Sequence, residues 1–361
     1  MDRKHRTPRR SFAILATIGL VAAMLGLIAP AASGVANTCR ARNVTQGTPS
    51  RSDLQAVIRA ADPGDTIAVK HVCVGHFRIH KRLTLVGKPT PDLLRPVLLA
   101  NGVGKVLRVS ARVSLIDLKI TGGRTAWNGG GIYNRGNLTL KNSVVSGNTA
   151  VGDGGGIFNL SLGGLSLTLN GSSSVRGNDA GRYGGGILNS GGDVTLNGSS
   201  SVGGNDAGRS GGGIFHLNDI LTLNDSASVR ANTARVRGGG IANYGGDVFM
   251  SGLSSVRANT ARRGGGGIYN DTGEDVTLNE SSSVRSNDAN RGGGVLNFGR
   301  LTLKGSSWVT GNTAAVRGGG IRNRFAVRGC DSTGVDEWIG TVEPNTPNDF
   351  INSDVNPITC T

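Results

Sequence analysis

One repeat decides the fold: residues 211–237 read GGGIFHLNDILTLNDSASVRANTARVR, and the next GGGI follows at once. The GGGI or GGGV motif returns every 25 to 30 residues, ending at Ile132, Ile157, Ile187, Ile214, Ile241, Ile268, Val295 and Ile321. An LTL-like stretch and a V-x-x-N stretch keep the same period. A sustained period of this length is typical of solenoids, in which each repeat forms one coil.

Each repeat predicts three short β-strands separated by Gly-rich or polar turns. Such a unit cannot bury an apolar face alone, whereas stacked coils pair equivalent strands about 4.8 Å apart. We therefore predict an all-β fold, a parallel β-helix with the Ile, Leu and Val of the three motifs stacked inside. Two asparagine columns are expected to form amide ladders at the turns. One follows GGGI (Asn134, Asn159, Asn189, Asn243, Asn270, Asn297, Asn323, with His216 replacing one member), and the other ends VxxN (Asn148, Asn178, Asn205, Asn232, Asn259, Asn287, Asn312).

The composition agrees with this fold. Glycine accounts for 60 of 361 residues, but it lacks the three-residue period of collagen. Glycine instead serves the corners, where positive φ or close backbone approach is needed. Aromatic residues make up only 4% of the chain, as a narrow aliphatic core requires. The formal charge of +15 points to anionic partners.

The repeat resembles the right-handed parallel β-helix of the pectate-lyase-like superfamily. More narrowly, residues 129–323 resemble the GGAI/FxxN repeats of polymorphic outer-membrane proteins, with VxxN in place of FxxN. The resemblance implies a scaffold that hosts many functions. It also raises the alternative of a polysaccharide lyase or a glycoside hydrolase, because enzymes of this superfamily use clustered carboxylates.

The flanking segments predict an exported protein with capped ends. Residues 1–36 combine a basic start with an apolar run and small residues, which indicates a cleaved secretory signal, and Arg9-Arg10-Ser11-Phe12 resembles a twin-arginine motif. Residues 37–64 are predicted to form an N-terminal cap with a short helix that begins near Ser52-Asp53. The β-helix is expected over 65–323, with regular repeats over 129–323, and an irregular C-terminal cap over 324–361. We expect a secreted monomer that does not associate with a membrane after signal cleavage.

Four cysteines lie in two pairs at opposite ends of the chain. Eight or more coils separate the pairs by roughly 40 Å, whereas a disulfide spans about 4.4–6.8 Å between Cα atoms. The sequence therefore predicts Cys39–Cys73 and Cys330–Cys360, one bond in each cap. Their spacing does not fit a metal site.

Arginine is the leading candidate for function. Period-2 geometry turns the residue after Val outward, and further arginines follow in the next turn. The residue between Ile and Asn is likewise expected to face solvent, which predicts an aromatic row beside a basic ridge. The candidate ligand-binding residues are Arg176, Arg182, Arg209, Arg230, Arg237, Arg257, Arg263, Arg285, Arg291, Arg317, Tyr133, Phe158, Phe215 and Tyr269. Guanidinium groups suit carboxylates and sulfates, so an anionic polysaccharide or cell-wall polymer is the expected partner of this adhesin-like protein.

Two other interpretations remain open at this point. In the first, the arginines are a solvated face copied by repeat duplication, and the protein is a structural spacer without a specific ligand.

In the second, the protein is a polysaccharide lyase or a glycoside hydrolase with a carboxylate site. Asp193, Asp247 and Asp275 precede LTL-type strands, but only Asp247 and Asp275 occupy adjacent coils, and two carboxylates are too few ligands for Ca²⁺. No cofactor and no nucleic acid partner are expected, and His71, His76 and His80 are interpreted as surface residues.

Overall fold

The computed structural model of the protein describes residues 36–161, 164–323, 327–330, 341–343 and 350–352, the last three stretches as backbone only. These residues form a parallel β-helix, as the repeat predicts, with one α-helix, Leu54–Ala60. Residues 1–35 of the predicted signal peptide (1–36) and most of the predicted C-terminal cap lie outside the described residues.

Four sheets run along the solenoid, and each is named here after its motif. The leucine sheet carries the LTL strands: Arg40–Asn43, Thr66–Lys70, Leu83–Gly87, Val113–Ile116, Leu138–Lys141, Leu167–Asn170, Val194–Leu196, Ile220–Leu223, Asp247–Met250, Asp275–Leu278, Arg300–Lys304 and Val327–Cys330. The isoleucine sheet carries the GGGI strands: Phe77–Ile79, Leu107–Val109, Ile132–Asn134, Ile157–Asn159, Ile187–Asn189, Ile214–His216, Ile241–Asn243, Ile268–Asn270, Val295–Asn297, Ile321–Asn323 and Phe350–Asn352.

The valine sheet and a short-strand sheet complete each coil. The valine sheet contains Val72–Val74, Val97–Leu99, Lys119–Thr121, Val144–Ser146, Ser174–Arg176, Ser201–Gly203, Ser228–Arg230, Ser255–Arg257, Ser283–Arg285, Trp308–Thr310 and Thr341–Glu343. The short-strand sheet contains Arg124–Thr125, Thr149–Ala150, Asp179–Ala180, Asp206–Ala207, Thr233–Ala234, Thr260–Ala261, Asp288–Arg291 and Thr313–Arg317. This fourth strand adds to the three that the repeat predicts. It is mostly two residues long, Thr or Asp followed by Ala, which is too short to show the alternation of a strand.

The register of the strands builds the predicted ladders. Ile187, Ile214 and Ile241 pair in succession along the isoleucine sheet, and all three are fully buried. Leu196 pairs with Leu223 in the leucine sheet and Val202 pairs with Val229 in the valine sheet, and all four side chains are fully buried. Identical residues therefore stack along the axis, and the core of each coil is continuous with that of the next.

Both amide ladders are present. In the VxxN column, Nδ2 of each asparagine from Asn148 to Asn287 donates to Oδ1 of the next at 2.9–3.0 Å, ending on Asn312. In the column after GGGI, the corresponding distances are 2.6–2.9 Å, except where His216 interrupts it. These bonds satisfy buried amides that would otherwise destabilise the fold.

The glycine triplet is required by the corner between the short-strand and isoleucine sheets. Gly238 has a φ of +61°, which favours glycine. A Cβ on Gly239 would lie 2.5 Å from the Thr260 carbonyl oxygen, and one on Gly240 would lie 2.7 Å from the Gly267 carbonyl oxygen. The triplet therefore combines a special conformation with a backbone approach that excludes any side chain.

The predicted N-terminal helix is present. Asp53 caps the helix by accepting a hydrogen bond from the Ala56 amide at 3.0 Å, and Leu54 and Ile58 are buried against the first coil. Strand Arg40–Asn43 pairs antiparallel with Thr66–Lys70, whereas the other strand pairs of the described residues are parallel. No helix in the described part of the chain has the length and apolarity needed to cross a membrane.

The predicted N-terminal disulfide is confirmed: Cys39 and Cys73 are bonded, with their Cα atoms 4.3 Å apart. The predicted Cys330–Cys360 bond lies outside the described residues, because Cys360 is not described and Cys330 is described only in its backbone.

Candidate functional site

The outer face of the isoleucine sheet is covered, so the predicted exposure of its aromatic residues is wrong. Phe158, Phe215 and Tyr269 are only 8%, 6% and 2% exposed, and Tyr133 is half-buried. Phe158 and Phe215 point away from the solenoid core, as alternation requires, but they enter a second apolar cluster outside it. Side chains from the turns on either side of each strand, including Tyr183 and Tyr244, pack over this face.

Aromatic rings stack along this second cluster from coil to coil. The Tyr183 and Phe215 centroids are 4.6 Å apart, and those of Phe215 and Tyr244 are 5.1 Å apart. The Tyr244 and Tyr269 centroids are 5.0 Å apart, and those of Tyr269 and Phe298 are 5.7 Å apart. The spacing follows from the distance between parallel strands, so the solenoid itself sets the rings at contact distance.

A groove of about 570 Å³ opens on this cluster, and we call it the aromatic groove. This volume lies within the range of small-molecule sites. Its lining comes from five consecutive repeats: Asp153, Phe158, Arg182, Tyr183, Leu188, Ser190, Arg209, Ser210, Phe215, Leu217, Val236, Tyr244 and Arg263. The groove therefore extends for about 20 Å along the solenoid axis.

Two arginines are held on one ring at the mouth of the groove. The guanidinium carbons of Arg182 and Arg209 lie 5.4 and 5.8 Å from the Tyr183 ring centroid. Arg209 Nη1 also donates to the Tyr183 hydroxyl at 3.2 Å. Arg182, Arg209 and Arg263 are all exposed. The ring contacts limit the freedom of two guanidinium groups, which lowers the entropic cost of binding an anion.

Asp153 is the one carboxylate among the lining residues. Its side chain is 12% exposed, lies 3.8 Å from Arg182 Nε and accepts a hydrogen bond from the Tyr183 amide at 3.2 Å. Burial raises the pKa of Asp153, while the charges of Arg182 and Arg209 and the Tyr183 amide oppose the rise. The groove thus carries three arginines against one carboxylate.

The arginines of the predicted basic ridge do not form one surface. Arg230, Arg257 and Arg285 are in register on the valine sheet, and Gly203 separates them from Arg176. Burial, together with the charges of Arg285 and Arg230, lowers the pKa of Arg257. These four arginines do not line the aromatic groove.

The remaining predicted arginines are placed elsewhere. Arg237 donates to the Tyr244 and Tyr269 hydroxyls at 3.3 and 3.2 Å, so it holds the aromatic stack together. Arg291 and Arg317 are exposed and pair across a bulge in the short-strand sheet.

The candidate carboxylates do not gather into a site. Asp275 forms an ion pair with Arg300, whose Nε donates to Asp275 Oδ1 at 3.0 Å. Asp193 Oδ1 accepts from the Ile220 amide at 3.2 Å. Within the described ranges, no three His, Cys, Asp or Glu side chains come together as metal ligands would.

Sequence reasoning missed Tyr183, Leu188, Leu217 and Tyr244, which complete the groove. A partial signal was present, because apolar residues recur just after the Asn or His that ends the strand, at Leu160, Leu217, Tyr244 and Phe298. Tyr183, by contrast, is the one aromatic or aliphatic residue that stands directly before a glycine triplet.

No protein-family model, no curated protein and no solved structure matches this chain.

Proposed function

We propose that this protein is an exported, non-catalytic β-helix that binds an acidic polysaccharide in the aromatic groove. The observation that carries the proposal is the pair of guanidinium groups that Tyr183 holds at the groove mouth. We also propose that the repeats belong to the pectate-lyase-like superfamily, in the form found in polymorphic outer-membrane proteins.

The chemistry of the groove suits a chain of acidic sugars. Guanidinium groups bind carboxylates through paired, charge-assisted hydrogen bonds. Tyr183, Leu217 and Tyr244 are partly exposed in the lining and offer apolar surface to the C–H faces of sugar rings. A groove about 20 Å long accommodates several units of an extended polymer lying along the axis.

Two features support export. The N-terminal sequence has the composition of a secretory signal, and the Cys39–Cys73 bond is of a kind that persists in oxidising compartments. Asp153 alone does not supply the carboxylate pair that most glycoside hydrolases use, which favours binding over hydrolysis.

A titration with an oligomer of galacturonic acid tests the proposal, with a neutral cello-oligosaccharide of equal length as the reference ligand. We expect binding of the acidic oligomer only, weakening as salt rises. Replacement of Arg182, Arg209 and Arg263 by glutamine should weaken binding at least about tenfold.

The matched control replaces Arg230, Arg257 and Arg285 by glutamine, the same change in charge on the valine sheet, and should bind like the wild type. Loss of binding in this control alone would overturn the assignment to the groove. Equal affinity for the acidic and neutral oligomers, or release of an unsaturated uronide, would overturn the proposed function.

A further inference from the structure

A second concave site lies at the N-terminal end of the leucine sheet, away from the aromatic groove. Its volume is about 680 Å³, and we call it the basic pocket. Its lining residues are Arg40, Arg42, Val44, Ser50, Ala68, Lys70, His71, Lys88 and Pro89. Four of the nine carry permanent positive charge, and none carries a negative charge.

The register of three strands explains how these charges converge. Arg40 lies directly opposite Lys70 in the antiparallel pair. Val69 pairs with Gly87 on the other side, so Lys88, whose amide donates to the Val69 carbonyl at 2.8 Å, continues the same row. Three cations therefore cross the sheet side by side, with neighbouring strands about 4.8 Å apart.

The floor of the pocket is a small residue. Arg42 lies opposite Ala68, which is 7% exposed, and Lys70 is two residues further along the same strand. Because side chains two apart share one face of a strand, the methyl group of Ala68 leaves a depression between long basic side chains. Ser50 closes one side, where Arg51 pairs with the outer edge of the first strand at Ala41.

This arrangement costs stability in the absence of a ligand. Like charges directly opposite each other on paired strands repel. None of the ion pairs found among the described residues involves Arg40, Arg42, Lys70 or Lys88. Unbalanced repulsion around one cavity is a feature of sites that bind a charged ligand.

We infer that the basic pocket binds a tetrahedral oxyanion, a phosphate or sulfate ester, carried on a larger organic molecule. Arginine and lysine side chains donate to the oxygens of such a group from several directions, and its negative charge offsets the repulsion among the four cations of the pocket. The pocket is larger than a lone anion needs, which leaves room for the body that carries it. This inference is independent of the proposed function, because no residue is shared between the two sites.

Calorimetric titration of the full chain at low salt with glucose 6-phosphate, inorganic phosphate and inorganic sulfate tests the inference, with sodium chloride at matched ionic strength as the blank. Tighter binding of phosphate than sulfate identifies a phosphate site, and the reverse order a sulfate site. The ester should bind more tightly than the free anion because it fills the remaining volume.

Two variants and one control complete the design. Lys70→Gln and Arg42→Gln should each weaken ester binding about tenfold. Lys70→Gln should also raise the thermal midpoint of the ligand-free protein, since it removes a repulsive cross-strand pair, an outcome that a purely structural lysine does not produce. Lys141→Gln, an exposed lysine on the same sheet, should change neither quantity. Binding no stronger than the chloride blank, or binding that both variants leave intact, would overturn the inference.

Discussion

The interruption of one amide ladder by His216 predicts a stabilising substitution. His216 is fully buried, and its Nδ1 accepts from Asn189 Nδ2 at 3.1 Å while Nε2 faces the Asp219 carbonyl at 3.2 Å. His216 therefore donates no hydrogen bond to the next coil, where Asn243 Oδ1 is buried without a hydrogen-bond partner. In His216→Asn, the new Nδ2 would donate to Asn243 Oδ1 as in the other coils. A buried acceptor left unpaired costs about 1–3 kcal/mol, so we expect a gain of that size at pH 7.5.

The gain should grow as the pH falls. Burial lowers the pKa of His216 from 6.5 to about 4, although the Asp219 carbonyl and the charges of Asp219 and Asp193 oppose the shift. A depressed pKa means that the unfolded chain binds the proton first, so the wild type loses stability between pH 6.5 and pH 4. Linkage gives a loss of about 2.5 kcal/mol between pH 7.5 and pH 4.5, and His216→Asn removes it.

Guanidinium chloride unfolding at pH 7.5 and pH 4.5, followed by circular dichroism, measures both effects. The stability gap between His216→Asn and the wild type should widen by about 2.5 kcal/mol at the lower pH. His80→Asn, at an exposed histidine, serves as the control, and its stability should stay close to that of the wild type at both pH values. A variant less stable than the wild type at pH 7.5, or a gap that does not change with pH, would refute the reasoning.

Three further predictions concern the corners, the core and the groove. Gly240→Ala should destabilise the fold by about 3 kcal/mol or more in thermal unfolding, because the new Cβ meets the Gly267 carbonyl oxygen. Gly204→Ala should cost only about 1 kcal/mol, because Gly204 has a φ of +63° but open space around it. Equal losses of stability would contradict the packing argument. Ser200, Ala227 and Ser254 occupy the same position in consecutive coils, and the hydroxyls of Ser200 and Ser254 are buried without a hydrogen-bond partner. Ala227→Ser should therefore lower the free energy of unfolding by about 1 kcal/mol, and Ser254→Ala should leave it unchanged or raise it. The opposite changes would show that this position prefers a hydroxyl. Asp153→Asn should strengthen binding of the acidic oligomer about fivefold at pH 7, because it removes a negative charge from the groove. It should also flatten the pH dependence of binding, because the raised pKa of Asp153 lets the wild-type carboxyl become neutral as the pH falls, which tightens binding in the wild type alone. Weaker binding in the variant would show that Asp153 does not repel the oligomer.

The repeat predicted the interior of the molecule well because stacking converts sequence period directly into contact. The ladders of Ile, Leu, Val and Asn require only that equivalent residues align, and the register confirms this alignment. The direction in which Phe158 and Phe215 point also followed from alternation.

The exposure of these aromatic residues did not follow, because alternation does not say what covers an outward face. Tyr183 and Tyr244 belong to turns, and the path of these turns is set by the glycine triplet and the short-strand sheet, not by the alternation that directs the side chains of a strand. The same turns separate Arg182 and Arg209 from Arg230 and Arg257, so the predicted ridge is not one surface.

A crystal structure of the protein with a bound galacturonate oligomer tests the central claim most directly. The account predicts sugar density in the aromatic groove, with a carboxylate within hydrogen-bond distance of Arg182 or Arg209 and with rings against Tyr183, Leu217 or Tyr244. Density along Arg230, Arg257 and Arg285 instead, or a groove that stays empty at saturating oligomer, would contradict it.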